Sequence, residues 1–304
     1  MNNLKLNIIP KHNIHPIIIP ISYFKDMYGH HNSFYEMNPS IHIDEEGNTT
    51  ILVRNIDYRV FGDQIFTIYN SPTNSIYVKL NGKIQKNEKL DLDNFNLEKI
   101  EYNYDLPTYP TFWKGMEDIR FISESEILVT IPECNQEGNP SIFKASILQN
   151  KIHSFKECFP NKKEKNWMPF TNNNVFGRQK VIYSLNPFLI KSIEEDDFEK
   201  WDIEESLLNQ LKDYHGSTNG IFYKNNYWFL IHVKKERIYH KWLKIDYENR
   251  QIDVSKEFVF FAHSYIEFPT NLCLFNNRIF ISLGVNDIKA FIIEILINEL
   301  EIFF

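Results

Sequence analysis

The densest group of reactive side chains in the chain is Glu117-Asp118-Ile119-Arg120, which follows Gly115-Met116 and leads into the apolar run Phe121 to Val129. Two carboxylates and a guanidinium at the mouth of a strand are costly to hold, because a charge leaving water must be paired. Such local rule-breaking marks a functional site. A carboxylate held there can pass a proton to or from a hydroxyl group. Other chemistries find less support. There is no His-Glu-x-x-His segment, and the ten glycines do not group into a phosphate loop. Neither a metal nor a cofactor is expected. No serine or cysteine is placed as an activated nucleophile.

The elements that must position this cluster come from a chain of 304 residues, 43% hydrophobic, which is ample for a sizeable core. The formal net charge is -7, and the densest basic patch, Lys162-Lys163-Glu164-Lys165, is short and interrupted. A nucleic-acid or anionic-membrane surface is therefore not expected. Three cysteines, Cys134, Cys158 and Cys273, match no zinc spacing and read as small buried hydrophobes. Residues 1–30 are apolar but broken by Pro10, Pro16 and Pro20. They read as an extended arm or edge strand, not a membrane span or signal peptide, and a cytoplasmic location is expected. His30-His31 reads as a solvated turn.

A pattern begins at Asn38 and returns at Glu117, Asn166, Ser217 and Phe268: a short strand, a polar turn and a second strand. These starts are 79, 49, 51 and 51 residues apart. A period near fifty built from β-hairpins is the signature of propeller blades. The reading is an all-β, five-bladed β-propeller spanning 1–304 as one domain, with a β-sandwich as the alternative. The longer first interval leaves room for an insertion at Asn87 to Tyr104. Ile193 to Asp213 carries the one helical pattern, through Phe198, Trp201, Leu207, Leu208 and Leu211. The apolar run Ala290 to Phe304 is suited to close the ring as an outer strand.

In a propeller the inner strands line one axial channel, so residues at the same end of those strands meet. The repeat starts supply Asn38, Glu117, Asp118, Arg120, Lys165, Asn166, Thr218 and Glu267; the ends of the second strands supply Arg54, Asp57, Arg59, Ser184, His232 and Asp287. Trp113, Trp167, Tyr183 and Tyr239 are placed at the rim. Carboxylates and amides beside planar aromatics suit a sugar, whose hydroxyls take directed hydrogen bonds and whose ring face stacks. Arg120 with Glu117 or Glu267 reads equally well as a structural ion pair between blades.

Glu117-Asp118-Ile119-Arg120 resembles the Glu-Asp-Pro-Arg motif of the glycoside hydrolase family 130 mannoside phosphorylases and their relatives. Asn38-Pro39-Ser40 with Arg54, Glu164-Lys165-Asn166-Trp167-Met168-Pro169-Phe170, Phe268-Pro269-Thr270 and Gly284-Val285-Asn286-Asp287 are similar to further segments of that superfamily. The resemblance spans about residues 34 to 294. It implies a five-bladed propeller acting on β-mannosides or similar glycosides, with Asp118 as the acid–base group, Arg120 helping to hold the site and Asp287 binding sugar hydroxyls. Ile119 stands where the motif has proline, a change that removes no catalytic group.

The phosphorylases carry phosphate-binding arginines soon after that motif, whereas residues 121–177 contain none. Lysine offers only a point charge in place of the arginine fork. The expectation is therefore an inverting glycosyltransferase that moves a β-mannosyl or related hexosyl group from a nucleotide sugar donor to a glycan acceptor. Arg54, Arg59 and Lys165 would steady the diphosphate, with Lys165 and His232 as further phosphate ligands. Asn38, Asn166, Glu267 and Asp287 would position the sugar, and Glu117, Arg120 and Tyr239 complete the expected site. The alternatives are a β-mannoside phosphorylase or hydrolase, and a non-catalytic carbohydrate-binding propeller. A homo-oligomer is conceivable.

Overall fold

The computed structural model describes residues 7–9, 11, 13–28, 34–61, 64–67, 73–86, 88–160, 162–171 and 178–304. Five antiparallel sheets are arranged as the blades of a β-propeller. Blade 1 runs through Tyr35–Ile43, Asn48–Ile56, Thr73–Lys83 and Asn96–Lys99. Blade 2 runs through Glu117–Phe121, Glu126–Thr130, Ile142–Leu148 and Lys151–Glu157, with Glu101–Tyr102 added in parallel on its outer edge. Blade 3 is built from Met168–Pro169, Lys180–Leu185, Phe188–Ser192 and Phe198–Lys200. In blade 4, His215–Gly216 and Ile221–Tyr223 share the inner position beside Asn226–Lys234, followed by Ile238–Asp246 and Gln251–Val254. Blade 5 takes Glu267–Phe275, Arg278–Val285 and Lys289–Leu296.

The fourth strand of blade 5 is Asn13–Ile17, which pairs antiparallel with Lys289–Leu296. The arm is thus the ring's closing strand. The C-terminal run instead supplies the third strand and then turns into a 3-10 helix at Ile297–Phe303. Proline fits the edge position because Pro16 lacks only an N–H that an outermost strand can spare. Buried Glu294 clamps this closure: its carboxylate meets His15 Nε2 at 2.8 Å, Arg278 Nη1 at 3.2 Å and Asn13 Nδ2 at 3.2 Å. The arm continues into a helix, Ile21–Tyr28, that was not expected.

Two further expectations are corrected. The insertion in the first interval is the hairpin Tyr58–Phe61 with Gln64–Thr67, not the stretch to Tyr104, which supplies outer strands to blades 1 and 2. The helix in blade 3's connection is only Glu205–Leu211, because Phe198–Lys200 is drawn into the blade as its last strand. His30-His31 and Asn172-Asn173-Asn174, the polar turn of the repeat that starts at Asn166, lie outside the described residues.

The core is divided among the blade interfaces. Along Asn226–Lys234, Tyr227, Phe229 and Ile231 face blade 3, while Trp228 and Leu230 face blade 5. Along Asn48–Ile56, Leu52 joins the blade 2 interface while Ile51 and Val53 join that with blade 5. A strand buried on both faces reads as a continuous apolar run, since the period-two alternation sorts side chains between two cores. Burial of these side chains, each worth roughly 1.5–3 kcal/mol, is what holds blade to blade.

Inner strands of neighbouring blades do not pair as ladders, so buried amides and hydroxyls bridge them. Asn271 Nδ2 donates to Asn219 Oδ1 at 2.6 Å, Asn271 Oδ1 accepts from Ile41 N at 3.1 Å, and Asn219 Nδ2 donates to Leu272 O at 2.9 Å. Ser40 and Thr270 donate to Ile119 O and Pro39 O. These bonds satisfy strand edges that would otherwise be buried unpaired. Among the described residues no helix is long and apolar enough to cross a membrane.

Candidate active site

The inner strands of blades 1 and 2 begin with the same irregularity. Register slips between Met37 and Ser40 against one partner strand, and between Glu117 and Arg120 against the other. Within each slip one residue turns left-handed: Asn38 at φ 40° and Asp118 at φ 49°. Asn166, just ahead of blade 3, does the same at φ 63°. Asn and Asp tolerate this region better than other side-chain-bearing residues. A bulge re-aims a side chain out of the strand's alternation, and here it turns Asn38 and Asp118 towards each other. Asn38 Nδ2 donates to Asp118 Oδ1 at 2.8 Å. Gly284 makes room for this, since a Cβ there would overlap Asn38 Oδ1.

Arg54, at the end of blade 1's second strand, organises the charges. Its Nη2 meets Glu117 Oε1 at 2.9 Å and Tyr58 Oη at 3.3 Å, its Nη1 lies 3.5 Å from Asp118 Oδ1, and its Nε donates to Ser75 Oγ at 2.8 Å. Lys165 Nζ stands 3.6 Å from Glu117 Oε2. Burial pushes the Asp118 carboxyl up, but Arg54, Arg120, Lys165 and the Asn38 amide outweigh it and hold Asp118 below the ordinary 3.8. Asp118 is therefore an ionised carboxylate at neutral pH. Asp287, in the left-handed turn after blade 5's second strand (φ 54°), is pushed the other way, by burial first and then by the charge of Asp118, against the pull of Arg54. Among the described residues no protein group donates to the Asp287 carboxylate. Burial raises the Tyr58 hydroxyl to about 12, so it stays protonated as a donor.

These groups line a cavity of about 510 Å³ at one end of the axial channel. Asn38, Arg54, Glu117, Asp118, Lys165 and Asp287 are brought together there, as the sequence led one to expect. Tyr58, Phe268 and Lys163 line it as well and were not among the expected site residues. Tyr58 carried a signal, for it stands four positions after Arg54. Phe268 was marked as the start of the last repeat and by its segment's resemblance, but not as a site residue. Trp113 takes its expected rim position, packing edge-on against Tyr58 with ring centroids 5.3 Å apart.

The other expected residues lie elsewhere. Arg120 is buried behind the site, donating from Nε to Ser217 O at 2.6 Å and from Nη1 to Asp118 O at 3.2 Å; it pairs with neither Glu117 nor Glu267. Glu267 has no exposure and faces the protein, accepting from Phe260 N at 2.8 Å and Phe261 N at 2.7 Å, with Arg237 Nη2 at 3.6 Å and His240 Nε2 at 3.4 Å. It fixes the loop before its own strand because a buried carboxylate needs several donors. His232 sits behind Phe268, ring centroids 5.2 Å apart, with Nδ1 2.7 Å from Ser217 Oγ. Burial, with His240, His215 and Arg120 nearby, lowers it to about 3, so it is neutral and no phosphate ligand by charge. Tyr239 donates to Glu236 on the surface, and Trp167 is buried with Nε1 on Glu164 at 3.0 Å. Asn166 and Tyr183 line a neighbouring pocket. Arg59 belongs to the inserted hairpin, and its side chain lies outside what is described.

No protein-family model matches the chain, and no curated protein matches it either. Among solved structures it is similar to the β-1,2-mannobiose phosphorylase of Listeria innocua, with a TM-score of 0.63, 14% identity, and 95% of this chain and 98% of that one covered. A structure described under the GH130 family of mannoside phosphorylases, said to contain glycoside hydrolases that target β-1,2-mannosidic linkages in Candida mannan, aligns with a TM-score of 0.61 at 12% identity, covering 95% and 96%. A glycosyl hydrolase from Bacteroides ovatus aligns with a TM-score of 0.59 at 12% identity, covering 97% and 92%. The fold is thus the five-bladed propeller of GH130 enzymes, and the neighbours are carbohydrate-active enzymes.

Proposed function

We propose that the chain is a glycoside-cleaving enzyme, an inverting hydrolase of short β-mannosides. The observation that carries this reading is that two carboxyl groups facing one cavity have their proton affinities pushed in opposite directions: Asp118 pulled down and Asp287 pushed up. Carboxyl groups whose environments separate them in this way divide the labour of base and acid. Tyr58, Trp113 and Phe268 offer apolar faces to a sugar ring, and Asn38 and Lys165 offer donors to its hydroxyls.

In this scheme Asp287 gives its proton to the glycosidic oxygen as the anomeric C–O bond breaks. A water molecule attacks the anomeric carbon from the opposite face, and Asp118 takes the proton that water releases. The products are a free sugar of inverted anomeric configuration and the shortened glycoside. Proton exchange with solvent then resets both carboxyls.

The transferase expectation is set aside. The neighbours named above are a phosphorylase and hydrolases, and the arginine lining the cavity, Arg54, already spends its N–H groups on Ser75, Tyr58, Glu117 and Asp118. Among the described residues no guanidinium fork is left at this cavity for a phosphate or diphosphate. Lys163 and Lys165 at the rim are what favours phosphorolysis as the second reading. The test is incubation with β-1,2-mannobiose and related mannosides with and without inorganic phosphate. Free mannose formed without phosphate is the expected result. Mannose 1-phosphate formed only with phosphate establishes the second reading, and no cleavage of any glycoside overturns both.

A further inference from the structure

Beside the charged cavity, and sharing Lys165 with it, lies a second pocket of about 400 Å³ between blades 3 and 4. Its polar groups differ in kind from those next door. Lys165, Asn166, Ser184, Asn186, Lys212 and His215 line it, and no carboxylate does. Glu117, which lines the first cavity, stands 3.6 Å from the shared Lys165, and two other nearby carboxylates are turned to other partners. Glu164 accepts from Tyr183 Oη at 2.8 Å and from Trp167 Nε1 at 3.0 Å, and Glu257 accepts from Tyr214 and from Lys235. Asp213, next to Lys212, is exposed and is not part of the wall.

Several of these donors, of which Lys212 and His215 are exposed, are unpartnered among the described residues. The Asn166 amide, Ser184 hydroxyl, Lys212 ammonium and His215 ring make no side-chain hydrogen bond among the described residues. Asn166 is also held left-handed at φ 63°, and its carbonyl packs so close to Gly216 that a Cβ there would overlap it. Backbone of this kind persists only where the surroundings fix it. A pocket walled by two ammonium groups, of which Lys165 also faces Glu117, two amides, a hydroxyl and an imidazole, with no carboxylate in the wall itself, is complementary to an oxyanion.

We propose that this second pocket binds an anionic substituent of the substrate, a phosphate ester or a carboxylate carried on the glycan, with Lys165 standing between it and the bond-breaking site. The inference deepens the glycosidase reading and rests on it for the identity of the ligand as a sugar. Volume fits one substituted hexose residue, since pockets of a few hundred Å³ take ligands of that size. The substrate class is then a charged glycan, and a neutral disaccharide fills only the first cavity.

The experiment is calorimetric titration of the intact protein with mannose, mannose 6-phosphate, glucuronate and inorganic phosphate, at low and at high salt, repeated on Lys212→Ala and Ser184→Ala. Expected is tighter binding of one charged sugar than of mannose. That binding should fall about tenfold in Lys212→Ala, the loss of one charge-assisted contact, and weaken with salt. The phosphate ester and carboxylate arms identify the anion. Equal binding of charged and neutral sugars, or unchanged affinity in Lys212→Ala, overturns the proposal. Inorganic phosphate binding as tightly as the sugar phosphate overturns it too, as a free-ion site. Binding is read without turnover, so its failure is separable from failure of the cleavage reading, and hydrolysis of neutral mannobiose by Lys212→Ala should match the parent.

Discussion

A cavity lies at each end of the inner strands, and the two are nearly the same size, about 510 Å³ and about 520 Å³. They are lined by opposite ends of the same inner strands. Blade 1 gives Met37 and Asn38 to one and Ile41, His42 and Ile43 to the other; blade 2 gives Glu117 and Asp118 to one and Phe121 to Glu124 to the other. The first cavity gathers Arg54, Lys163, Lys165 and three carboxylates, while the second is walled mostly by apolar and neutral groups, with His42 and Glu124 as its charge-bearing exceptions. Burial lowers His42, against the charges of Glu124 and Asp44. Size therefore says nothing about which end is reactive. The difference is local backbone geometry: bulges with left-handed Asn38 and Asp118 occur at one end, and regular ladders run at the other.

The sharpest way to break this contrast is at the carboxylates. Asp118→Asn should cut mannoside cleavage by about 10²–10⁴-fold with an unchanged melting curve shape. Glu124→Gln at the opposite cavity should leave the initial rate untouched; equal losses from both would erase the distinction drawn between the ends.

The pH profile sharpens it further. Asp118, depressed, must be ionised to act as base, so the rate should fall only as pH drops below the ordinary 3.8. Asp287, raised, must be protonated to act as acid, so the rate should fall as pH climbs through its elevated value. The result is a bell, and Asp287→Asn should lower the rate by about 10²-fold and abolish the alkaline limb. The two groups also act oppositely on stability: that due to Asp118 is present above 3.8 and lost as pH falls through its folded value, whereas that due to Asp287 is present below 3.8 and lost as pH rises through its own. Denaturant melts across acid pH report both.

Arg54→Met should destabilise by about 3–5 kcal/mol, because it strands two carboxylates without their counter-charge. Urea unfolding checks this, and a change below about 1 kcal/mol would mean that the pairs contribute little. Glu267→Gln is the smallest effect expected on rate: roughly 1–3 kcal/mol of stability lost through its unmatched donors, with kcat of the folded fraction unchanged. A fall in kcat at constant stability would return Glu267 to the sugar site.

The five repeat starts at 38, 117, 166, 217 and 268 were legible because each inner strand and hairpin is a local event with its own turn residues. Asn38, Arg54, Asp118 and Asp287 were legible as members of one end of the channel for the same reason. What escaped depends on register and on distant pairing. Glu267 and Trp167, each next to a repeat start, turn inward instead of towards the cavity, Glu267 to the backbone N–H groups of Phe260 and Phe261 and Trp167 to the Glu164 carboxylate, partners that the repeat itself does not mark. The helical pattern at Ile193 to Asp213 failed where a neighbouring strand captured Phe198–Lys200, a tertiary override of local periodicity. The arm's partner, at the far end of the chain, carries no local mark at all.

That pairing joins residues 281 positions apart, Asn13 to Glu294, in a single blade. During synthesis the arm leaves the ribosome long before Lys289–Leu296 and must wait for that strand before it has a partner. Blades 1 to 4 can assemble as the chain grows, but the circle is completed by a contact of very long range, the slowest kind to form. Once made, the same contact turns an open row of sheets into a hoop, in which no blade can peel from an end without first unfastening the Glu294 clamp. The ring is thereby protected less by the depth of its cores than by having no beginning from which to unravel.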